Sequence, residues 1–469
     1  MNPRTLLAYA LGPLGSAAIG LLSLPLIAWY FPPADIGRMV LLQTVAALAL
    51  NLLGLGLDQA YIREYHAAPQ RATLFKAIIA LPLLLFAFSL LFVMGGYGNA
   101  LVQQLLGLHD ARLGGLVWAF CAALFIGRYA SLILRMQERA WAFSLSQLLP
   151  KVGVLLLVML SGLGGWQTDG WALIAIYTVA QWLAVVLLLW QTRHDLGQAL
   201  CAKMDWDITR YGLHYGVPLM LGGLAYWGLS SADRWLLSMW SNLTQLGVYS
   251  MAISFGAAAL IVQNIFATVW SPTVFKWVAE RRNLAQIGTI FGYMLDLVGA
   301  VLCIVGLASP LIPYVLPAEY AAVQFIVLSS ILFPLLYTLT EISGMGINVC
   351  KKTWLSTVIS LAALVIHIGL CAWLIPLAGA KGAAMAVAVA FWLFYVAKTE
   401  VSMRLWLPLP RLSAYGISLL MLVSCLAYTY WGNAHNYGLF AALWGAMLLG
   451  LGWKYRLLLH RWRQGYLLK

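Results

Sequence analysis

The chain is written in blocks of about twenty apolar residues separated by short polar stretches. A helix of that length crosses a hydrocarbon core roughly 30 Å thick. Fourteen such blocks are read, over 5–30, 39–60, 75–95, 113–134, 142–164, 169–191, 212–238, 246–270, 286–309, 322–344, 354–376, 381–402, 412–431 and 437–457. The longest polar interruption, 193–210, holds Arg193, His194, Asp195, Lys203, Asp205, Asp207 and Arg210. It parts the first six blocks from the next six and leaves the last two as an appended pair. The expected fold class is an all-α polytopic membrane protein with 14 transmembrane helices. Its expected organisation is an N-terminal bundle over 1–192, a cytoplasmic linker over 193–210, a second bundle over 211–402, and two helices with a basic tail over 403–469.

A weak internal echo supports the division. Leu11-Gly12-Pro13-Leu14 returns as Leu221-Gly222-Gly223-Leu224, and Ile36-Gly37 returns as Leu246-Gly247, both at an offset of 210. Two six-helix bundles related by a pseudo-two-fold repeat would produce this pattern, with Tyr211 opening the second copy.

Composition agrees with the pattern. The chain is 63% hydrophobic and 9% charged, with a mean hydropathy of +0.86. Soluble domains are about 45–50% apolar and about 25% charged. The formal net charge of +13 therefore marks cytoplasmic helix flanks and not a nucleic-acid surface. With the N-terminus inside, the inner side collects Arg4, Arg63, Arg71, Lys76, Arg128, Arg135, Arg139, Lys151 and most later cations, including the tail from Lys454 to Lys469. The outer side keeps Arg38, Arg112 and Lys381. That asymmetry places both termini in the cytoplasm. The first run, Leu6 to Tyr30, exceeds a signal-peptide core of about 7–15 residues and is kept as a helix.

Six scattered cysteines, with no CxxC and no His at ligand spacing, read as apolar fillers, so no metal and no cofactor are expected. The outer loops are short and nearly uncharged, the longest being Gly95 to Arg112. No GxxxxGK[ST] loop is present, which excludes ATP as the direct drive within this chain.

Charges inside apolar blocks are costly, roughly 2.5–3.5 kcal/mol at a helix centre on insertion scales. Asp296 and His367 are read near mid-span, Asp58 and Glu341 near inner ends, Asp233 and Arg234 near an outer end. Arg128 sits near the inner surface, and no Lys or Arg is read at the midplane. Asp233 and Arg234 are sequence neighbours and point about 100° apart on a helix, so they do not simply clasp each other. Pro25, Pro82, Pro218 and Pro334 lie within spans and permit bends. Asn51, Gln147, Gln181, Gln263 and Asn264 either line a path or join helices.

Several segments carry a resemblance. Phe31-Pro32-Pro33-Ala34-Asp35-Ile36-Gly37-Arg38, Asp233-Arg234-Trp235-Leu236-Leu237 and Gln245-Leu246-Gly247-Val248-Tyr249-Ser250 are similar, in order and spacing, to segments of Wzx-type polysaccharide flippases. Leu316-Pro317-Ala318-Glu319-Tyr320 and Gly379-Ala380-Lys381-Gly382-Ala383-Ala384 are similar to later segments of that family. The resemblance implies the multidrug/oligosaccharidyl-lipid/polysaccharide (MOP) exporter fold, two bundles facing a central cavity. It implies an undecaprenyl-diphosphate-linked oligosaccharide, an O-antigen or other repeat unit, turned to the periplasmic leaflet of the bacterial inner membrane by alternating access. Its partners would be the lipid-linked substrate, membrane lipids, a proton or sodium counter-ion, and polysaccharide polymerases or ligases.

A diphosphate crossing lipid needs cations. The expected substrate-binding residues are Arg63, Arg128 and Arg234, and Asp58, Asp233, Asp296 and Glu341 are the expected counter-ion or coupling residues. Those four carboxylates keep a MATE-like exporter of cationic drugs open as an alternative. A membrane-embedded glycan polymerase or transferase is the other, disfavoured by an outer loop offering only His109 and Asp110.

Overall fold

Backbone N–H and C=O groups find no water in a bilayer, so apolar runs of this length satisfy them internally as helices. The computed structural model describes residues 3–165, 168–281 and 284–463. Arg282, the side chains of Arg4 and Asn264, and the tail beyond 463 lie outside the described residues. Of the described residues 87% are helical, and none lies in a strand. In order the helices are α1 (Pro3–Ala28), α2 (Pro33–Gly54), α3 (Leu57–Glu64), α4 (Arg71–Met94), α5 (Tyr97–Leu106), α6 (Leu113–Met136), α7 (Ala140–Leu163), α8 (Gly170–Cys201) and α9 (Trp206–Trp240). There follow α10 (Leu243–Ala279), α11 (Ala285–Ala308), α12 (Ile312–Val315), α13 (Val323–Ser343), α14 (Met345–Val349), α15 (Trp354–Ala378), α16 (Ala380–Leu405), α17 (Arg411–Trp431) and α18 (Tyr437–Arg463). Among the described residues, ten helical segments are long and apolar enough to cross a membrane. This is a multi-pass membrane protein.

Three local features refine the expected spans. The expected helix over 39–60 stops at Gly54, because Leu55 and Gly56 both take left-handed backbone conformations, φ 50° and 68°. Asp58 therefore sits in the first turn of a new helix, where a carboxylate complements the positive end of the helix dipole. The expected linker over 193–210 is mostly helical. Lys76 Nζ donates to the carbonyls of Leu200 and Ala202 at the end of α8, at 2.8 and 2.7 Å. The Asp205 side chain accepts from the Asp207 and Ile208 amides to start α9. The outer loop from Gly95 to Arg112 contains α5.

By internal packing the chain forms two compact units, Met1–Ser250 and Met251–Lys469. The first unit thus reaches past the expected boundary at 192 and takes in α9. The reason is backbone proximity at glycine. A Cβ on Gly56 would stand 2.1 Å from the Gly216 carbonyl oxygen, and one on Gly37 would stand 2.0 Å from that of Leu243. A Cβ on Gly247 would stand 1.8 Å from the Pro33 oxygen, so the echoed residues Gly37 and Gly247 pack into one contact. Small residues give membrane helices this close approach. Within this unit α1 packs on α7, α7 on α8, α8 on α6, and α2 and α3 on α9. Its aromatic core stacks Phe86 on Phe125, with centroids 4.8 Å apart, and Phe125 against Tyr129.

The second unit is built on α13, which packs against α16, with α15 also on α16. Hydroxyl pairs join its helices, Ser329 with Thr429 and Ser343 with Thr399, each at 2.7 Å. On its other side α11 packs on α18. Lys454, expected in a cytoplasmic tail, lies within α18 and ion-pairs with Asp296.

Candidate functional site

The site is assembled around Arg128, sixteenth residue of α6. Its Nη2 donates to Asp58 Oδ2 at 2.8 Å, and its Nη1 donates to Asn51 Oδ1 at 3.0 Å. Gln59 Nε2 also donates to Asp58 Oδ2, at 3.1 Å. The break at Leu55-Gly56 makes this possible, since it re-aims the chain between Asn51 on α2 and Asp58 on α3. The Arg128 side chain is 33% exposed and that of Asp58 11%, so the guanidinium remains reachable while its counter-ion is largely enclosed.

Two cavities in the first unit share Arg128 in their linings. One, of about 280 Å³, is lined by Asn51, Gly56, Asp58, Gln59 and Arg128 and by Leu219, Met220 and Gly223 of α9. The other, of about 390 Å³, lies among α2, α6, α7 and α8. Asn51 and Arg128 line both. Pro218 directly precedes the lining residues of α9 and, lacking an N–H, cannot donate to the His214 carbonyl one turn back. A Cβ on Gly222 or Gly223 meets nothing within 4 Å, so this stretch of α9 borders open space.

The other expected site residues are placed elsewhere. Arg63 pairs with Glu64 at 3.4 Å and lies over the Tyr215 ring at 4.4 Å, outside both cavities. Arg234 also lines neither, and its Nε is buried without a hydrogen-bond partner among the described residues. Asp233 is 1% exposed and accepts from the Tyr249 hydroxyl and the Arg234 amide. Asp296 accepts from Lys454 and from Tyr455 Oη, the latter at 2.9 Å. Glu341 lies on α13 and its charge acts on Lys398, whose ammonium stands over the Tyr337 and Phe394 rings. His367 is fully buried. Arg38 pairs with Asp35 and donates to the Leu106 carbonyl at 2.9 Å, tying α2 to α5.

One cation escapes the reading of the sequence. Lys151, counted with the inner flank, is the twelfth residue of the 24-residue α7 and lines the larger cavity. It directly follows Pro150, which also lines that cavity. Its tenth place in the expected span 142–164 is the signal that could have found it. Gln181, an amide expected in a path or a joint, lines the cavity.

No curated protein matches the chain. Among solved structures, the chain is similar to the lipid II flippase MurJ in an inward closed conformation, at 13% identity and a TM-score of 0.71, over 96% of this chain and 99% of that one. It is also similar to an inward-facing multidrug resistance MATE family transporter of the MOP superfamily, at 15% identity and a TM-score of 0.55, over 87% of this chain and 96% of that one. At such identities the likeness shows the fold. A family model described as polysaccharide biosynthesis protein matches residues 4–278, more than half of the chain and all of the helices that frame Arg128. This protein belongs to that polysaccharide biosynthesis family, whose Wzx-type members its motifs resemble.

Proposed function

We propose that the chain is a flippase for undecaprenyl-diphosphate-linked oligosaccharide, carrying it from the cytoplasmic to the periplasmic leaflet of the bacterial inner membrane by alternating access. In this reading fourteen helices span the membrane as two six-helix bundles and a C-terminal pair, both termini are cytoplasmic, and transport is coupled to an ion.

The observation that carries it is Arg128, held in the linings of two cavities inside an apolar helical unit by Asp58 and Asn51. A guanidinium presents forked donors that match a phosphate as well as a carboxylate. Diphosphate entering the cavity therefore competes with Asp58 for Arg128. The released carboxylate needs a new counter-charge in low dielectric, and a proton or sodium ion supplies it. Substrate entry and ion uptake are thereby joined at one pair of residues. Arg63 and Arg234 line neither of these cavities, and in this reading Arg128 makes the headgroup contact.

The drug-exporter alternative needs carboxylates facing a cavity without cations beside them. Among the described residues, Asp58 is committed to Arg128 and Asp296 to Lys454, and the larger cavity has no carboxylate in its lining. That balance speaks for an anionic cargo. The test is a deletion strain that accumulates lipid-linked oligosaccharide on the inner leaflet. The wild-type chain should clear it, and Arg128→Glu, at equal membrane abundance, should not. Full clearance by Arg128→Glu would remove Arg128 from the site.

A further inference from the structure

The larger cavity of the first unit holds chemistry that headgroup binding leaves unused. Arg128, on its wall, is already engaged by Asp58 and Asn51. Lys151, on α7, is exposed, lines this cavity, and makes no ion pair or hydrogen bond among the described residues. The same cavity is lined by the polar side chains of Gln43, Gln181 and Tyr177 and by Phe120 and Pro150. Gln181 is seated beside Arg128's own helix, its Nε2 at 3.6 Å from where a Gly127 Cβ would be. The volume, about 390 Å³, falls within the roughly 300–1,000 Å³ of small-molecule pockets.

Each lining type points to one class of ligand. An ammonium midway along a membrane helix is costly until water or an anion meets it, and the cavity lining supplies no anion of its own. The absence of carboxylates from the lining turns away cations. Side-chain amides and a phenol both donate and accept, which suits hydroxyl groups, and the flat faces of Tyr177 and Phe120 suit the C–H face of a ring. Pro150 has no N–H to donate to the Ser146 carbonyl one turn back, which allows α7 to bend next to Lys151.

We propose that this cavity is a saccharide subsite for a sugar bearing one oxyanion, with Lys151 as its counter-charge and Gln43, Gln181 and Tyr177 on its hydroxyls. The proposal rests on the reading of the chain as a carrier of lipid-linked sugars, and it adds that the cargo includes an acidic sugar. The oxyanion is a hexuronate carboxylate or a sugar phosphate.

The full chain in lipid nanodiscs is titrated with glucuronate, glucose 1-phosphate, glucose and inorganic phosphate, with calorimetric detection. The anionic sugars should bind about tenfold more tightly than glucose, the worth of one charge-assisted contact. Lys151→Gln should erase that preference and Lys151→Arg should keep it, while Gln181→Ala should weaken both anionic sugars and glucose. Whichever of glucuronate and glucose 1-phosphate binds better identifies the source of the oxyanion. Equal affinity for glucose and the anionic sugars overturns the proposal, as does a preference that survives Lys151→Gln. Lys151-dependent binding of inorganic phosphate as tight as that of the sugars also overturns it, since the cavity would then be a plain phosphate site. Failure of the flippase reading is seen separately, as a wild-type chain that does not clear the inner leaflet of the deletion strain.

Discussion

Along the sequence Arg128 and Asp58 stand as isolated intramembrane charges, and in space they are one ion pair at 2.8 Å. Removing one member of a fully buried pair costs about 3–5 kcal/mol, because the other is left uncompensated. Here the cost is smaller, since Arg128 keeps a third of its side-chain surface. In the transport reading, Asp58→Ala and Arg128→Ala should each reduce clearance of lipid-linked oligosaccharide severely, and the double substitution should be little worse than either. Losses that multiply across a double-mutant cycle would show that the two residues act independently. Lys151 is the opposite case. Counted with Arg135 and Arg139 it looks like a flank, and only the continuous helix from Ala140 to Leu163 sets it at mid-helix, on the cavity lining.

Among the helices, glycine decides which ones meet. Gly56 has φ 68° and Gly216 lies against its backbone, so Gly56→Ala and Gly216→Ala both force the helices apart. Overpacking of this kind costs about 1–3 kcal/mol, and the left-handed conformation at Gly56 adds about 1–2 kcal/mol for any other residue. Both variants should lose monodisperse protein in detergent. Gly223→Ala, which meets nothing within 4 Å, should not, and helix propensity favours Ala over Gly by about 0.8–1.0 kcal/mol. A Gly223→Ala chain that unfolds earlier than wild type in a thermal scan would contradict the open space beside α9. The α11–α18 contact offers a second test. Lys454→Ala strands the Asp296 carboxylate and should lower the melting temperature in detergent. Asp296→Asn in the same chain should restore part of the loss. No restoration would mean that Lys454 holds α18 through its aliphatic stem and not its charge.

Over the whole molecule, the charge asymmetry of the loops predicts an orientation that reporters can read. Fusions at either terminus should report a cytoplasmic location, and a fusion between Gly95 and Arg112 a periplasmic one. A periplasmic signal from either terminus would reverse the assignment of inner and outer flanks. The two compact units divide at Ser250, well after the polar stretch at 193–210. Polarity marks where a chain leaves the membrane, whereas the division into units follows which helices touch.

Hydropathy and motif order were enough to read the class of protein from the chain. Runs of twenty apolar residues have no stable home other than helices in a bilayer, and their order carries the motifs of the polysaccharide biosynthesis family. Asp58, Arg128, Asn51 and Gln181 were legible too, because polar groups in apolar helices are conspicuous one at a time. Which of them share a site came from the packing alone. Side chains 70 positions apart, such as Asp58 and Arg128, are brought together by the helix break at Leu55-Gly56 and by the meeting of helices. Pairing of that kind depends on the direction each side chain takes in space, which hydropathy along a line does not record.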